Sequence, residues 1–185
     1  IQQSQMESDR LSAIKTIDSE IRAIEELKKS LDAESLTKAL DFMQNSTGRI
    51  IITGMGKSGH IGKKIAASLA STGTPSFFVH PAEASHGDLG MITDDDVVIA
   101  ISNSGESREL IDILNYCKRF GIKLIAITKN QDSSLGKAGD VVLLLPNNGE
   151  ACPLGLAPTS STTATLVLGD ILTIRMIERK GFSKE

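Results

Sequence analysis

Asp96-Val97-Val98-Ile99-Ala100-Ile101-Ser102-Asn103-Ser104-Gly105-Glu106-Ser107 is an apolar run that stops abruptly in three serines, an asparagine and a glycine. An apolar run without polar alternation is the pattern of a strand buried on both faces. The residues behind it, 108–120, fall into a helical spacing. A buried strand that feeds a helix through such a turn gathers backbone N–H groups and hydroxyls at the helix N-terminus. The partial positive charge there favours an anion. No Lys or Arg lies inside the hydroxyl cluster, so phosphate would be held mainly by neutral donors. The expected ligand is a small phosphorylated molecule.

The same alternation runs outward from this stretch. Short apolar runs at 50–53, 76–79, 97–101, 124–128 and 141–145 are separated by helical patterns at 59–71, 108–120 and 133–138, and 159–180 closes the chain. Between 81 and 95 mostly loop is expected, with at most one helical turn. Strand runs alternating with helices predict an α/β fold, a five-stranded parallel sheet flanked by helices on both faces, doubly wound and flavodoxin-like. Before residue 48 the pattern is helical only. Leu11, Ile14, Ile17, Ile21, Ile24, Leu27 and Leu31 recur at steps of three and four, followed by Leu36, Ala39, Leu40 and Met43. This predicts an N-terminal helical arm over 1–47 on a core of 48–185. A narrow apolar seam packs on a core or pairs with another copy, and the arm is expected to do both in a homo-oligomer.

Bulk properties exclude several classes. The 185 residues carry a net charge of −3, only 3% aromatics and no Trp, which argues against a nucleic-acid partner. No apolar run reaches the length a bilayer needs, so no membrane partner is expected. The two cysteines, Cys117 and Cys152, form neither a disulfide framework nor a zinc spacing. A cytoplasmic location is the default.

In such sheets ligands bind beyond the carboxyl ends of the strands. The first run ends in Gly54-Met55-Gly56-Lys57-Ser58-Gly59-His60-Ile61-Gly62. This matches G-x-G-x-x-G in form, but the second run ends in Val79-His80-Pro81 where a ribose-binding acid would stand. It fails as a P-loop because His60 follows Gly59. The glycines make a tight strand-to-helix turn, and Lys57 at its apex points over the sheet. The second run leads into His80-Pro81-Ala82-Glu83-Ala84-Ser85-His86-Gly87-Asp88. His86 suits proton transfer near neutrality, whereas His80 and His60 read as structural. Imidazoles and carboxylates here could ligate a metal, but the spacing matches no zinc motif and none is expected. In the serine turn, Ser104 or Ser107 could serve as a helix cap, which leaves the other hydroxyls and Asn103 for phosphate. Glu109 either satisfies the helix dipole or is aimed at the ligand. After the fifth run, Glu150 is a lone carboxylate in an otherwise apolar loop, and desolvation would make it a useful base. Cys152 and Cys117 read as packing residues.

Those four segments, the last being Glu150-Ala151-Cys152-Pro153-Leu154-Gly155-Leu156-Ala157-Pro158-Thr159, together resemble the D-arabinose-5-phosphate isomerase family, whose members carry a sugar isomerase (SIS) domain. The resemblance covers nearly all of 49–182. It implies interconversion of D-ribulose 5-phosphate and D-arabinose 5-phosphate, feeding Kdo synthesis for lipopolysaccharide or capsule. It also implies no organic cofactor and a homotetramer. Family functional residues map onto Lys57, His86, Glu109 and Glu150, and phosphate-binding positions onto Ser58, Ser102, Asn103, Ser104 and Ser107. Full-length members usually continue through a further His-containing segment and a pair of CBS domains. This chain stops at Gly181-Phe182-Ser183-Lys184-Glu185, so a single SIS domain over 1–185 is expected. The rival readings are a non-catalytic sugar-phosphate sensor, a nucleotide-binding oxidoreductase and an isomerase of another sugar phosphate.

Overall fold

A computed structural model of the chain describes residues 2–147 and 159–181. All five expected strands form: β1 (Ile50–Gly54), β2 (Ser76–Phe78), β3 (Val97–Ile101), β4 (Lys123–Thr128) and β5 (Val141–Leu144). They make one parallel sheet in the order β2-β1-β3-β4-β5. Every residue of β1 and β3 is buried, as an apolar run without alternation requires.

Successive side chains divide the core into two layers. Ile50, Ile52, Val97, Ile99 and Ile101 join one apolar cluster, while Ile51, Val98 and Ala100 join the other. The first layer is closed by α1 (Gln2–Ser30), α2 (Ala33–Asn45), α3 (Gly56–Ser71) and α7 (Ser160–Arg179). The second is closed by α4 (Pro81–Ala84), α5 (Ile111–Phe120) and α6 (Ser134–Ala138). Each fully buried isoleucine contributes about 1.5–3 kcal/mol by leaving water, so the central strands anchor the fold.

The arm divides in two. Ala23 and Leu27 are buried, whereas Leu11 and Ile17 are 58% and 56% exposed and Ile14 and Ile21 also face solvent. No helix among the described residues is long and apolar enough to cross a membrane.

Two expectations need correction. The segment 81–95 holds two helical turns, α4 and a 3₁₀ turn at Asp88–Met91. Pro81 pre-sets the first of them, and the His80 side chain caps it. The helix expected over 108–120 begins as a 3₁₀ turn, Arg108–Leu110, before α5 proper.

Candidate active site

The chain leaves β1 towards β2 and leaves β3 towards β4, so the strand order reverses between β1 and β3. Such a switch point is where an open sheet of this kind leaves a crevice above the carboxyl ends of its strands, here β1 and β3. Gly54 pairs in register with Ile101, which sets the turn after β1 beside the serine turn after β3. Lys57 and Ser58 stand in the first turn of α3, Lys57 exposed and Ser58 half-buried. Met55, the N-cap of α3, contributes no side-chain bond, and the first turn holds no acid. The helix therefore presents its N–H groups to the crevice without an internal anion. A Cβ on Gly59 would stand 2.6 Å from the Gly54 carbonyl oxygen. Only glycine lets the helix start so close to the strand end.

The serine turn is braced from within. Ser102 is buried. Its Oγ accepts the Gly105 N–H at 3.0 Å and bonds the Ser107 hydroxyl at 2.9 Å. Ser104 Oγ accepts the Glu106 N–H at 3.2 Å. Neither Ser104 nor Ser107 caps the following helix: Ser107 holds the N-cap position without a side-chain bond. The hydroxyls shape the turn instead of ending a helix, which corrects the capping expectation.

The turn is also braced from outside. The Asn103 carbonyl accepts from Lys129 N and Thr128 Oγ1, both at 3.1 Å. The Gly105 carbonyl accepts from Leu135 N at 3.0 Å. Glu106 accepts from the backbone N and the hydroxyl of Ser134, each at 2.7 Å. The Ser134 hydroxyl, followed by its N–H, holds the Glu106 carboxyl below its ordinary range. Gly105 sits at φ +77°, and a Cβ there would run into the Ser133 side chain. Sequence reasoning assigned Glu106 and Gly105 no role, because their partners lie far along the chain. Two buried polar atoms near the ends of β1 and β3, Thr53 Oγ1 and Asn103 Oδ1, have no hydrogen-bond partner among the described residues.

The third wall follows β2. His80 Nδ1 accepts the Ala82 N–H at 3.2 Å and so caps α4, in keeping with its structural reading. His86 N then donates to Glu83 O at 3.0 Å, and Gly87 N to Ala84 O at 3.2 Å. α4 packs on the 3₁₀ turn that carries Glu109 and on α5. His86 and Glu109 are both exposed. Lys57, His86 and Glu109 are therefore carried by the segments that follow the three neighbouring strands β1, β2 and β3. Glu150 and Cys152 lie outside the described residues.

His60 is exposed on α3 and, with Lys63, Phe78 and His80, lines a cavity of about 120 Å³ beside the β1 turn. The larger cavity between α5 and α6, about 650 Å³, is lined by residues such as Leu114, Cys117, Lys118 and Lys137 and by none of the described candidate residues. Burial pushes the Cys117 thiol up to about 12, with Asp140 adding to the effect. Cys117 is therefore a protonated packing residue, as expected.

A family model described as the SIS domain matches residues 43–175. Arabinose 5-phosphate isomerase KdsD of Pseudomonas aeruginosa is 56% identical over 174 residues, which cover 94% of this chain and 53% of that protein. The protein of the same name from Francisella tularensis is 55% identical over 177 residues, covering 94% of this chain and 54% of that one. The chain thus spans about half the length of these curated relatives. A solved E. coli CFT073 protein, in complex with arabinose 5-phosphate, superposes with a TM-score of 0.90 at 43% identity. The match covers 96% of this chain and 94% of that one.

Proposed function

The chain belongs to the SIS domain family, and on that premise we propose that it interconverts D-ribulose 5-phosphate and D-arabinose 5-phosphate through an enediol in the crevice between β1 and β3. This reading rests on the serine turn after β3 together with Lys57, His86 and Glu109, which are carried by the segments that follow the adjacent strands β1, β2 and β3. The 56% identity to a protein named arabinose 5-phosphate isomerase supports it. The product would feed Kdo synthesis for lipopolysaccharide or capsule.

The phosphate lies between two sets of donors. The N-terminus of α3 offers backbone N–H groups and the Ser58 hydroxyl, and the turn after β3 offers Asn103, Ser104 and Ser107. Ser102, buried beneath, holds that turn in shape. Gripping the phosphate fixes the distance from the anchor to the reacting carbons, which converts binding energy into orientation. Thr53 Oγ1 and Asn103 Oδ1, without a partner among the described residues, lack what a polyhydroxylated ligand carries, a hydroxyl donor.

Moving the carbonyl between the first two carbons requires removal of the proton alpha to it. Glu150 is the proposed base, with Glu109 its competitor. The electron pair left behind develops as an enediolate oxygen, which the Lys57 ammonium stabilises. His86 carries the hydroxyl protons between the two oxygens. Return of the proton to the neighbouring carbon completes the isomerisation with no redox partner.

The exposed stripe Leu11, Ile14, Ile17 and Ile21, joined by Met6, supports assembly through α1 into a homotetramer. Glu20 Oε2 lies on the same helix, buried without a partner among the described residues. A cytoplasmic location accompanies this reading.

Proton NMR of ribulose 5-phosphate in deuterated water tests the chemistry. The expected result is deuterium entry at the second carbon together with arabinose 5-phosphate formation. Replacing the base, as Glu150→Gln, should lower kcat by about 10²–10⁴-fold. If Glu150→Gln and Glu109→Gln both kept near wild-type turnover, the proton-transfer scheme would be wrong. Binding without exchange would reassign the chain as a sugar-phosphate sensor.

A further inference from the structure

We propose that His80 is a positioning residue whose unprotonated Nδ1 caps α4 and so holds the loop that presents His86, which makes that presentation sensitive to the charge of His80. The inference rests on the reading of His86 as a site residue.

The first turn of a helix leaves N–H groups without internal partners. In α4 that duty falls almost wholly on His80. Pro81 has no N–H to satisfy. The Ala82 N–H goes to His80 Nδ1 at 3.2 Å, and the Ala84 N–H goes to the His80 carbonyl at 2.9 Å. A helix of four residues, Pro81–Ala84, draws little support from propagation, so its ends decide whether it forms. Its C-terminal carbonyls in turn hold the site: Glu83 O receives the His86 N–H and Ala84 O the Gly87 N–H. The line from His80 to His86 therefore runs through one helical turn and two further hydrogen bonds.

Ser, Thr, Asp and Asn are the usual caps, and none of them titrates in the neutral range. An imidazole accepts at Nδ1 only while that nitrogen is unprotonated. Histidine is the side chain whose ordinary titration falls between pH 5 and 8. Using it here couples the cap to proton concentration. The titratable groups sharing the cavity with His80 are His60 and Lys63 of α3. α4 itself carries Glu83. The elements packed on it carry Arg108 and Glu109, Asp112, Lys118 and Arg119, and Asp88. Ala84 and Pro81 are buried, so the segment stays seated when the cap is lost. What changes is the hydrogen-bonded turn that aims His86.

The test compares wild type with His80→Asn, which keeps an acceptor that does not titrate, and His80→Phe, which keeps the ring and loses the acceptor. Amide signals of Ala82 and His86, and the ring signals of the chain's three histidines, are followed from about pH 5 to 8 by NMR. In wild type both amides should move with the midpoint of the His80 ring, and in His80→Asn both should stay flat. His80→Asn should keep kcat within about threefold at neutral pH and lose one ionisation from the acid limb. His80→Phe should lower kcat about tenfold or more with KM within about twofold. Amides that ignore the His80 titration, or an asparagine variant as damaged as the phenylalanine one, would overturn the inference. Coupled amide titrations in a protein that does not turn over ribulose 5-phosphate would uphold the cap and refute the proposed reaction instead.

Discussion

Gly105→Ala should cost both stability and phosphate affinity, and the structure sets the size of the loss. At φ +77° an L-residue is strained by about 1–2 kcal/mol. The new methyl would also meet the Ser133 side chain and stand 3.1 Å from Thr128 Oγ1. Overpacking a fitted site costs about 1–3 kcal/mol. The two effects together amount to about 2–5 kcal/mol, or a fall in Tm of about 4–20 °C for a chain of this size. Calorimetry and urea unfolding followed by circular dichroism measure it. A cycle with Ser133→Gly separates the causes, since that change removes the collision and leaves the dihedral strain. Ser133→Gly alone must be included, because Ser133 Oγ caps α6 through Gly136 N and donates to Asn130 O. The double variant should be more stable than the two single losses imply, by about 1–3 kcal/mol. In the isomerase assay Gly105→Ala should raise KM well before it lowers kcat. A single variant within about 0.5 kcal/mol of wild type, or strict additivity in the cycle, would refute this account of the turn.

Other outcomes can be checked separately. The Glu106 carboxyl is held below its ordinary value near 4.5, so its contribution is present above that value and is lost as pH falls through the lower folded-state value. The urea midpoints of wild type and Glu106→Gln should therefore differ at neutral pH and converge as the solution is acidified below 4.5. The unfolded Cys117 thiol ionises near 9.0 and the folded one only near 12. Its contribution is complete below 9.0 and declines above it, and peptide mapping after iodoacetamide treatment at about pH 8 should find Cys117 unmodified until urea is added. Charging the exposed face of α1, as Leu11→Lys with Ile17→Lys, should shift sedimentation to a smaller species. An unchanged sedimentation coefficient would remove α1 from the interface.

The strands were legible to within a residue or two because the chain marks them without ambiguity. A segment such as Ile50-Ile51-Ile52, with both faces buried, leaves no polar alternation to misread. Helix starts were less visible. α3 begins at Gly56, three residues before the apolar period, because a glycine-rich turn carries no helical signal. α4 was hidden because it is short and its cap is a histidine. At the candidate site, Lys57, His86 and the serines lie in the segments that follow β1, β2 and β3, as their sequence positions require. Their division of labour was illegible: Ser102 and Ser104 look alike in sequence, yet one is buried under the turn and the other exposed on it. The grip of Glu106 on Ser134 spans 28 residues, and no local pattern announces it. The seam of α1 was plain as a period, but which half the core would cover depended on where α7 lay.

The outside bracing of the serine turn bears on how such a protein changes over time. Asn103, Gly105 and Glu106 are tied sideways to the end of β4, to Lys129 beyond it and to the first residues of α6, not to the loops that carry Lys57 and His86. A ligand arriving there meets donors that folding has already set, so little is left to order on binding. The loops that carry Lys57 and His86 can be rewritten independently, because the bracing of the turn does not depend on them. On the proposed function, a scaffold built this way would keep its hold on a phosphate group while evolution exchanges the reaction performed at the other end of the molecule.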